Sequence, residues 1–366
     1  MNKRTAADIK DRKHGESKTE LENRVRRLTL DLKTARVETR RVQSAYDSYR
    51  EENEFLWETD TRAETVPVIE PALCSGEGEG LACWLTGDWH GLARVNPREV
   101  NGLNSFNYPS HESGKDCLRE RVLTMARGFL RLIQIERAGI GIKKAVLALG
   151  GDTINNQLHR DAIETNAGTP QEEVRYVSIV IRRVIDFLLD EGGLDELWVL
   201  SVDGNHDRDT EKKQYWNRSR HSHEWLMMQN IRDYYEAKGE KRIKWFIAEG
   251  YFLKIPLAFG IDKQHDARVI RMHHGDAIRF QGGVGGLTVP TMNRINVWQS
   301  RWAADMDWFF HHHQTVPNNR FICTGTTMGY SPLSEGLKAG YEPPQSSFVL
   351  LDKRRWRTSF RPIFAE

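Results

Sequence analysis

Four short apolar runs in this chain each end in a cluster of Asp, Asn or His residues. The clusters are Asp88-Trp89-His90, Gly151-Asp152, Gly204-Asn205-His206-Asp207 and His274-Gly275. Short apolar runs bounded by polar residues are typical of buried strands, and the segments between them have the apolar spacing of helices. Strands that alternate with helices predict a layered α/β fold. Rigid strand ends hold their side chains to the small tolerances that a metal site requires.

The predicted elements follow from these patterns. Residues 115–138 and 172–189 have helical spacing, and residues 325–344 read as a long irregular connection. The strands that end in polar clusters are 81–85, 145–149, 197–202 and 269–272, and closing strands are predicted at 321–324 and 347–352.

A fifth cluster, Phe310-His311-His312-His313-Gln314, adds three imidazoles to the set. Carboxylates, an amide oxygen and imidazoles together suit divalent transition metals. A pair of such ions commonly activates a water and clamps a phosphoryl group. The five clusters therefore predict a centre for two metal ions.

The order of the clusters resembles that of the calcineurin-like metallophosphoesterases, whose pattern is DxH, GD, GNH with Asp or Glu, a lone His and GHxH. The resemblance runs from about residue 81 to residue 313. One such motif arises readily by chance, whereas four or five in the right order are specific. The resemblance implies a four-layer αββα sandwich. Within that superfamily, the chain most resembles the DNA-repair nucleases.

By that resemblance, two divalent ions are bound, with Mn²⁺ favoured and Fe, Zn or Mg as alternatives. Asp152 would bridge the two ions, because a shared carboxylate offsets the repulsion between cations roughly 3.5 to 4 Å apart. The first ion would take Asp88, His90 and His313, and the second Asn205, His274 and His311.

The resemblance assigns His206 to the substrate and not to the metals. It would donate a proton to the leaving oxygen while a metal-bound hydroxide attacks in line. Asp207, or another nearby carboxylate, would orient the imidazole. Four further residues are candidate substrate contacts, although such residues more often cap helices or pair with local acids: Arg94, Asn155, His159 and Arg208.

The fifth cluster departs from the family pattern, because Phe310 stands where the family has glycine. Spacing by two places His311 and His313 on the same side of an extended segment, with His312 opposite. The segment 325–328 is a rival, since it follows an apparent strand, but it would leave the site two histidines short. In that case the histidine run would be a surface or helical feature.

The N-terminal part is predicted to differ from the rest. Residues 21–56 carry apolar residues at alternating spacings of four and three, which is the seam of a coiled coil and predicts a homo-oligomer, most simply a dimer. The alternative is a single amphipathic helix packed on its own catalytic domain. Before the seam lies a flexible basic arm, 1–20, and after it a Pro- and Gly-rich linker, 61–80, so that the catalytic domain would span 81–366.

Charge and cysteine content narrow the class of protein to which this chain can belong. Net charge is +2, yet residues 1–50 hold fourteen Lys or Arg against eight Asp or Glu, and the last residues are basic with aromatics between them. The N-terminal arm could contact nucleic acid phosphates or be a solvated tail. The C-terminal end could bind single-stranded nucleic acid or be an exposed strand protected by its charges. Four scattered cysteines exclude a disulfide framework, and no run is apolar enough for a membrane helix. We expect a cytoplasmic protein.

Three functions remain open. The first is a DNA nuclease, favoured by the basic ends and the predicted dimer. The second is a phosphomonoesterase or a phosphodiesterase of small or cyclic nucleotides, which needs no basic arm. The third is a coiled-coil scaffold with a vestigial metal site, against which the intact metal motifs argue.

Overall fold

The computed structural model describes residues 22–33, 36–37, 39–40, 43, 79–108, 117–158, 160–214, 216–258, 267–281, 285–336, 339–353 and 355–365. The chain divides into two compact units, Met1–Glu58 and Thr59–Glu366. In the first unit the described residues are helical and exposed. The predicted basic arm, 61–78 of the predicted linker and much of the predicted seam lie outside the described residues.

The first sheet of the second unit contains six strands. Their order across the sheet is β11-β10-β1-β2-β3-β4, and β1 to β4 are parallel. The strands are β1 (Glu79–Thr86), β2 (Gly141–Leu149), β3 (Glu196–Ser201), β4 (Ile243–Ile247), β10 (Gln345–Asp352) and β11 (Trp356–Phe364).

A second sheet has the order β5-β6-β7-β9-β8, in which β6, β7 and β9 are parallel. Its strands are β5 (Leu253–Ala258), β6 (Ala267–Met272), β7 (Met306–Phe309), β8 (Val316–Pro317) and β9 (Phe321–Cys323). Both sheets are mixed, since β10, β11, β5 and β8 pair antiparallel with their neighbours.

In the described part of the second unit, six α-helices lie between the strands. The longest, Pro170–Glu191, begins at a capping box in which Thr169 and Glu172 each bond the backbone amide of the other. The helices are α1 (Leu118–Glu136), α2 (Arg160–Thr165), α3 (Pro170–Glu191), α4 (His223–Lys238), α5 (Thr288–Gln299) and α6 (Pro332–Gly336). No helix among the described residues is long and apolar enough to cross a membrane.

Three clusters of buried apolar side chains hold these elements together. Alternate residues of β1 serve two of them, as a pleated strand requires. Ala82 and Trp84 pack with α1, α3 and α4, whereas Leu81, Cys83 and Leu85 pack against strands of the second sheet. A third cluster packs α5 against β7 and β9. Both faces of β1 are therefore buried.

The predicted mixed α/β class is confirmed, and each predicted strand overlaps an observed one. Helices α2, α4 and α5 and strands β4, β5, β7 and β8 were not predicted. Helix α4 carries Trp, Met and Tyr among its charges and α5 has Pro290 in its first turn, so neither shows a clear apolar stripe. The connection predicted as irregular contains the five-residue helix α6.

Candidate metal centre

The loops that carry the predicted ligands leave the two sheets side by side. In register, Thr86 of β1 lies opposite Leu149 of β2, which lies opposite Ser201 of β3. Parallel strands end at the same edge of a sheet. The polar sequence motifs that follow β1, β2 and β3 therefore meet at that edge. In the second sheet Met272 lies opposite Trp308, so the loops after β6 and β7 also leave together.

Backbone hydrogen bonds tie these loops to one another. The amides of Asp88 and His90 donate to the carbonyls of Gly151 and Asp152, each at 3.0 Å. In the second sheet the amide of Phe310 donates to the His274 carbonyl at 2.8 Å.

The aromatic ring of Phe310 is buried directly on Gly150. A Cβ at position 150 would collide with this ring, so glycine is required there. The bulky side chain of Phe310 is therefore accommodated by a glycine on the facing loop.

Five of the candidate ligands have left-handed backbones. Their φ angles lie between 46° and 73° in a region that side chains other than glycine rarely adopt. Such strained residues concentrate at functional sites, where the surrounding structure over-determines them. The five are Asp88, His90, Asp152, His311 and His313.

One group of potential ligands consists of Asp88, His90 and His313. His90 Nε2 lies 3.2 Å from His313 Nε2, which lies 3.4 Å from Asp88 Oδ1. The other nitrogen of His90, Nδ1, bonds the side-chain oxygen of Asn155 at 3.2 Å. We call these three residues the first cluster.

The second cluster consists of Asp152, His274 and His311, with Asn205 beside them. His274 Nε2 lies 3.1 Å from Asp152 Oδ2, 3.2 Å from His311 Nδ1 and 3.2 Å from Asn205 Oδ1. His274 Nδ1 donates to the carbonyl of Gly150 at 2.8 Å. That bond fixes the ring and leaves Nε2 facing the other ligands.

The donor atoms of both clusters fit metal ions. In neutral His90 and His274 the Nδ1 proton is used in these hydrogen bonds, so Nε2 presents a lone pair. Each Nε2 then faces another imidazole nitrogen at 3.2 Å, and a cation that both nitrogens bind accounts for this approach. Asp88 Oδ1 is buried without a hydrogen-bond partner in the described part of the chain, as a metal-binding oxygen would be.

Electrostatics at the second cluster agree with a cation site. Burial favours the neutral acid, yet His274 and His206 hold the pKa of Asp152 well below its usual range. Burial alone would lower the pKa of His274, but the Asp152 carboxylate outweighs it and raises this pKa to about 10. Without a metal, a proton on His274 supplies the positive charge that the carboxylate requires.

His206 contacts a residue of each cluster and is held by hydrogen bonds that involve the backbone. Its amide donates to Asp152 Oδ1 at 2.6 Å, and its ring meets that of His90 edge to face at 4.9 Å. Its Nδ1 donates to the carbonyl of Asn155 at 2.9 Å, so in the neutral ring this nitrogen holds the proton.

The structure corrects the role predicted for Asp207. This carboxylate is fully buried, and its Oδ2 accepts from the amides of Gly204 at 2.6 Å and Asp152 at 2.9 Å. Burial and then the nearby Asp152 raise its pKa to about 6. Asp207 joins two ligand loops, and the orienting role predicted for it falls to the Asn155 carbonyl.

The four other predicted substrate contacts differ in their surroundings. Arg94 is exposed, and His159 lies outside the described residues. Arg208 donates to the backbone carbonyls of Asn205, Thr210 and Glu211. Asn155 supports His90 and His206 from below.

The rival segment 325–328 supports the centre rather than supplying ligands. Thr326 Oγ1 donates to the backbone carbonyl of Asp88 at 2.7 Å. His311 and His313, the residues that alternation favoured, instead lie in the two groups of potential ligands. The segment is not extended, because both residues have left-handed backbones. His273, which precedes His274, is stacked between Tyr251 and Phe309.

Sequence reasoning missed Glu173, a fully buried residue near the start of α3. Its carboxylate accepts from the amides of Leu92 at 2.8 Å, Asn155 at 2.6 Å and Asn156 at 3.0 Å, and from the side chain of Asn166 at 3.1 Å. It thereby joins the loops after β1 and β2. The signal was readable, because Glu173 falls one turn before Val177 on the apolar stripe of α3.

No protein-family model matches the chain, and no curated protein matches it. Solved structures similar to it include two of Vps29 from Entamoeba histolytica. A single mutant of Vps29 is 13% identical with a TM-score of 0.25, over 74% of this chain and 84% of that one. Wild-type Vps29 complexed with Zn²⁺ is 12% identical with a TM-score of 0.27, over 77% and 96%.

A third similar structure is GAP50, the anchor in the inner membrane complex of Plasmodium. It is 10% identical with a TM-score of 0.31, over 78% of this chain and 89% of that one. At this level of similarity the matches carry no argument about activity, which has to come from the site itself.

Proposed function

We propose that the chain is a two-metal-dependent phosphoester hydrolase of the calcineurin-like metallophosphoesterase type, with the four-layer αββα arrangement of that family. The observation that carries the proposal is the pairing of imidazole nitrogens at 3.2 Å in both clusters, each beside a buried carboxylate. Asp88, His90 and His313 would hold one ion, and Asn205, His274 and His311 the other. Asp152 would bridge them.

Bound divalent ions would supply Lewis-acid activation of water and of the phosphoryl group. The chain supplies the proton chemistry and the positioning. His206 is proposed to protonate the leaving oxygen through Nε2, with its Nδ1 proton held on the Asn155 carbonyl. The carboxylates of Asp207 and Glu173, which join neighbouring loops by hydrogen bonds, keep these groups in place while the substrate reacts.

For the substrate we propose DNA, cleaved as a phosphodiester, with Mn²⁺ as the metal. The basic residues of the predicted arm and the basic end of the chain favour a polyanion.

Self-association through residues 21–56 is proposed with it. In the helix at 22–33, Val25, Leu28 and Leu32 are each more than half exposed. Three apolar side chains at seam positions would be covered by a second copy of the helix in a coiled coil. A dimer would place two centres on one nucleic acid.

A substrate panel tests the proposal. With Mn²⁺, the wild type should cleave linear or single-stranded DNA and bis(p-nitrophenyl) phosphate. His206→Ala should lose roughly 100- to 10,000-fold in rate while it keeps its metals, since this residue is no ligand. If only a phosphomonoester or a cyclic nucleotide is hydrolysed, the protein is a phosphomonoesterase or a cyclic-nucleotide phosphodiesterase and not a nuclease. If the protein binds no metal and hydrolyses no phosphoester, a scaffold function is favoured.

A further inference from the structure

An open cleft lies directly beside the second cluster. Asn205 belongs to both, because its side chain lines the cleft and its Oδ1 lies 3.2 Å from His274 Nε2. The charged residues that line the cleft are Asp203, Arg208, Lys213, Arg218 and Asp276. Three cations thus face two carboxylates.

The two guanidinium groups are fixed in place by backbone carbonyls. Arg208 donates to three of them, and Arg218 Nη2 donates to the carbonyl of Asp203 at 2.9 Å. Carbonyl oxygens orient a guanidinium without neutralising its charge. Arg208 therefore presents a preorganised positive charge to the cleft, whereas the charge of Arg218 is balanced by Asp276.

Lys213 is the most exposed of the three cations. Its Nζ lies 3.0 Å from Asp276 Oδ2, and its side chain is 43% exposed. The same oxygen is also paired with Arg218 Nη1 at 3.3 Å. Lys213 can therefore turn toward an incoming anion while Asp276 keeps a partner.

We propose that this cleft is a subsite for a second phosphate of the substrate, next to the phosphate that is cleaved. This inference rests on the proposed phosphoesterase function and deepens it. The second phosphate could belong to a neighbouring nucleotide or to a phosphoanhydride. Trp216 lies on the same loop with 52% of its surface exposed, and an aromatic side chain that can stack on a base favours the neighbouring nucleotide.

Three p-nitrophenyl esters separate these cases, all followed by release of p-nitrophenolate. They are the ester of thymidine 5′-monophosphate, the same ester with an added 3′-phosphate, and the ester of thymidine 5′-diphosphate. We expect kcat/KM of the wild type to be about fivefold higher for the ester with the 3′-phosphate than for the simple ester, an advantage that salt reduces.

Lys213→Ala should remove this advantage and bring the ratio close to one. Lys212→Ala is the matched control, since it deletes the neighbouring exposed lysine, which does not line the cleft, and it should keep the wild-type ratio. An advantage for the diphosphate ester alone would assign the subsite to phosphoanhydrides and overturn the neighbouring nucleotide.

Two further outcomes overturn the inference in different ways. Equal kcat/KM for all three esters, or an unchanged ratio in Lys213→Ala, would remove the subsite and leave the phosphoesterase function standing. If no ester is hydrolysed in the presence of Mn²⁺, the proposed function fails and the subsite fails with it.

Discussion

Asn155→Ala should weaken metal binding at the first cluster without disturbing the fold. The side-chain oxygen of Asn155 accepts from His90 Nδ1 at 3.2 Å, and Asn155 is only 7% exposed. Alanine leaves that buried N–H without an acceptor, which costs about 1–3 kcal/mol, and frees the ring to rotate. Loss of such an orienting partner typically lowers metal affinity about 10- to 100-fold.

The assay is a competition titration of Mn²⁺ against a fluorescent chelator, with thermal unfolding measured in parallel. Of two dissociation constants, the one for the first cluster should rise about 10- to 100-fold while the other stays constant. The His206 ring should be unaffected, because its partner is the backbone carbonyl of Asn155, which alanine retains.

Asn104→Ala is the matched control. Asn104 is also 7% exposed, and its side chain donates to the carbonyls of Met328 and Tyr330 away from the ligands. It should lose stability and keep both metal affinities. Two results would refute the account of how His90 is held. One is equal metal affinity in Asn155→Ala and the wild type, and the other is an equal loss of metal affinity in Asn155→Ala and Asn104→Ala.

Four other perturbations test separate parts of the structure. Glu173→Gln should lower kcat and metal affinity together, because an amide nitrogen would face amides that now donate to a carboxylate; unchanged kinetics would contradict this. Asp307→Asn should cost about 3–5 kcal/mol of unfolding free energy in denaturant titrations, since it leaves buried Arg271 unpaired, and should spare metal binding. Removal of residues 1–60 should give a monomer by light scattering, and an unchanged oligomer would exclude the coiled coil. Chelation should lower stability by about 2.7 kcal/mol for each site held at 100 times its dissociation constant; an unchanged melting temperature would argue against bound metal.

The strand ends were predictable from the sequence because their signal is local. An apolar run followed by Asp88 or Asp152 shows both the buried strand and the polar loop that it delivers. The same was true of Asn205 and His274. Parallel pairing then brings these loops together without further information.

The supporting residues were not predictable in the same way. Asp207 stands beside His206 in sequence, yet its carboxylate points to the amides of Gly204 and Asp152. Asn155 acts on His206 through its backbone carbonyl, which any residue carries, so its identity gives no signal for that contact. Left-handed backbones at His311 and His313 are likewise set by the surrounding loops and not by residue type.

The most direct test of the central claim is a titration of chelator-treated protein with Mn²⁺, in which bound metal and hydrolysis of bis(p-nitrophenyl) phosphate are measured in the same samples. We predict no hydrolysis without metal and full activity once two ions are bound per chain. Asp152→Asn should reach neither two bound ions nor full activity. Hydrolysis by the metal-free protein, or two bound ions without hydrolysis of any phosphoester, would contradict a two-metal phosphoesterase.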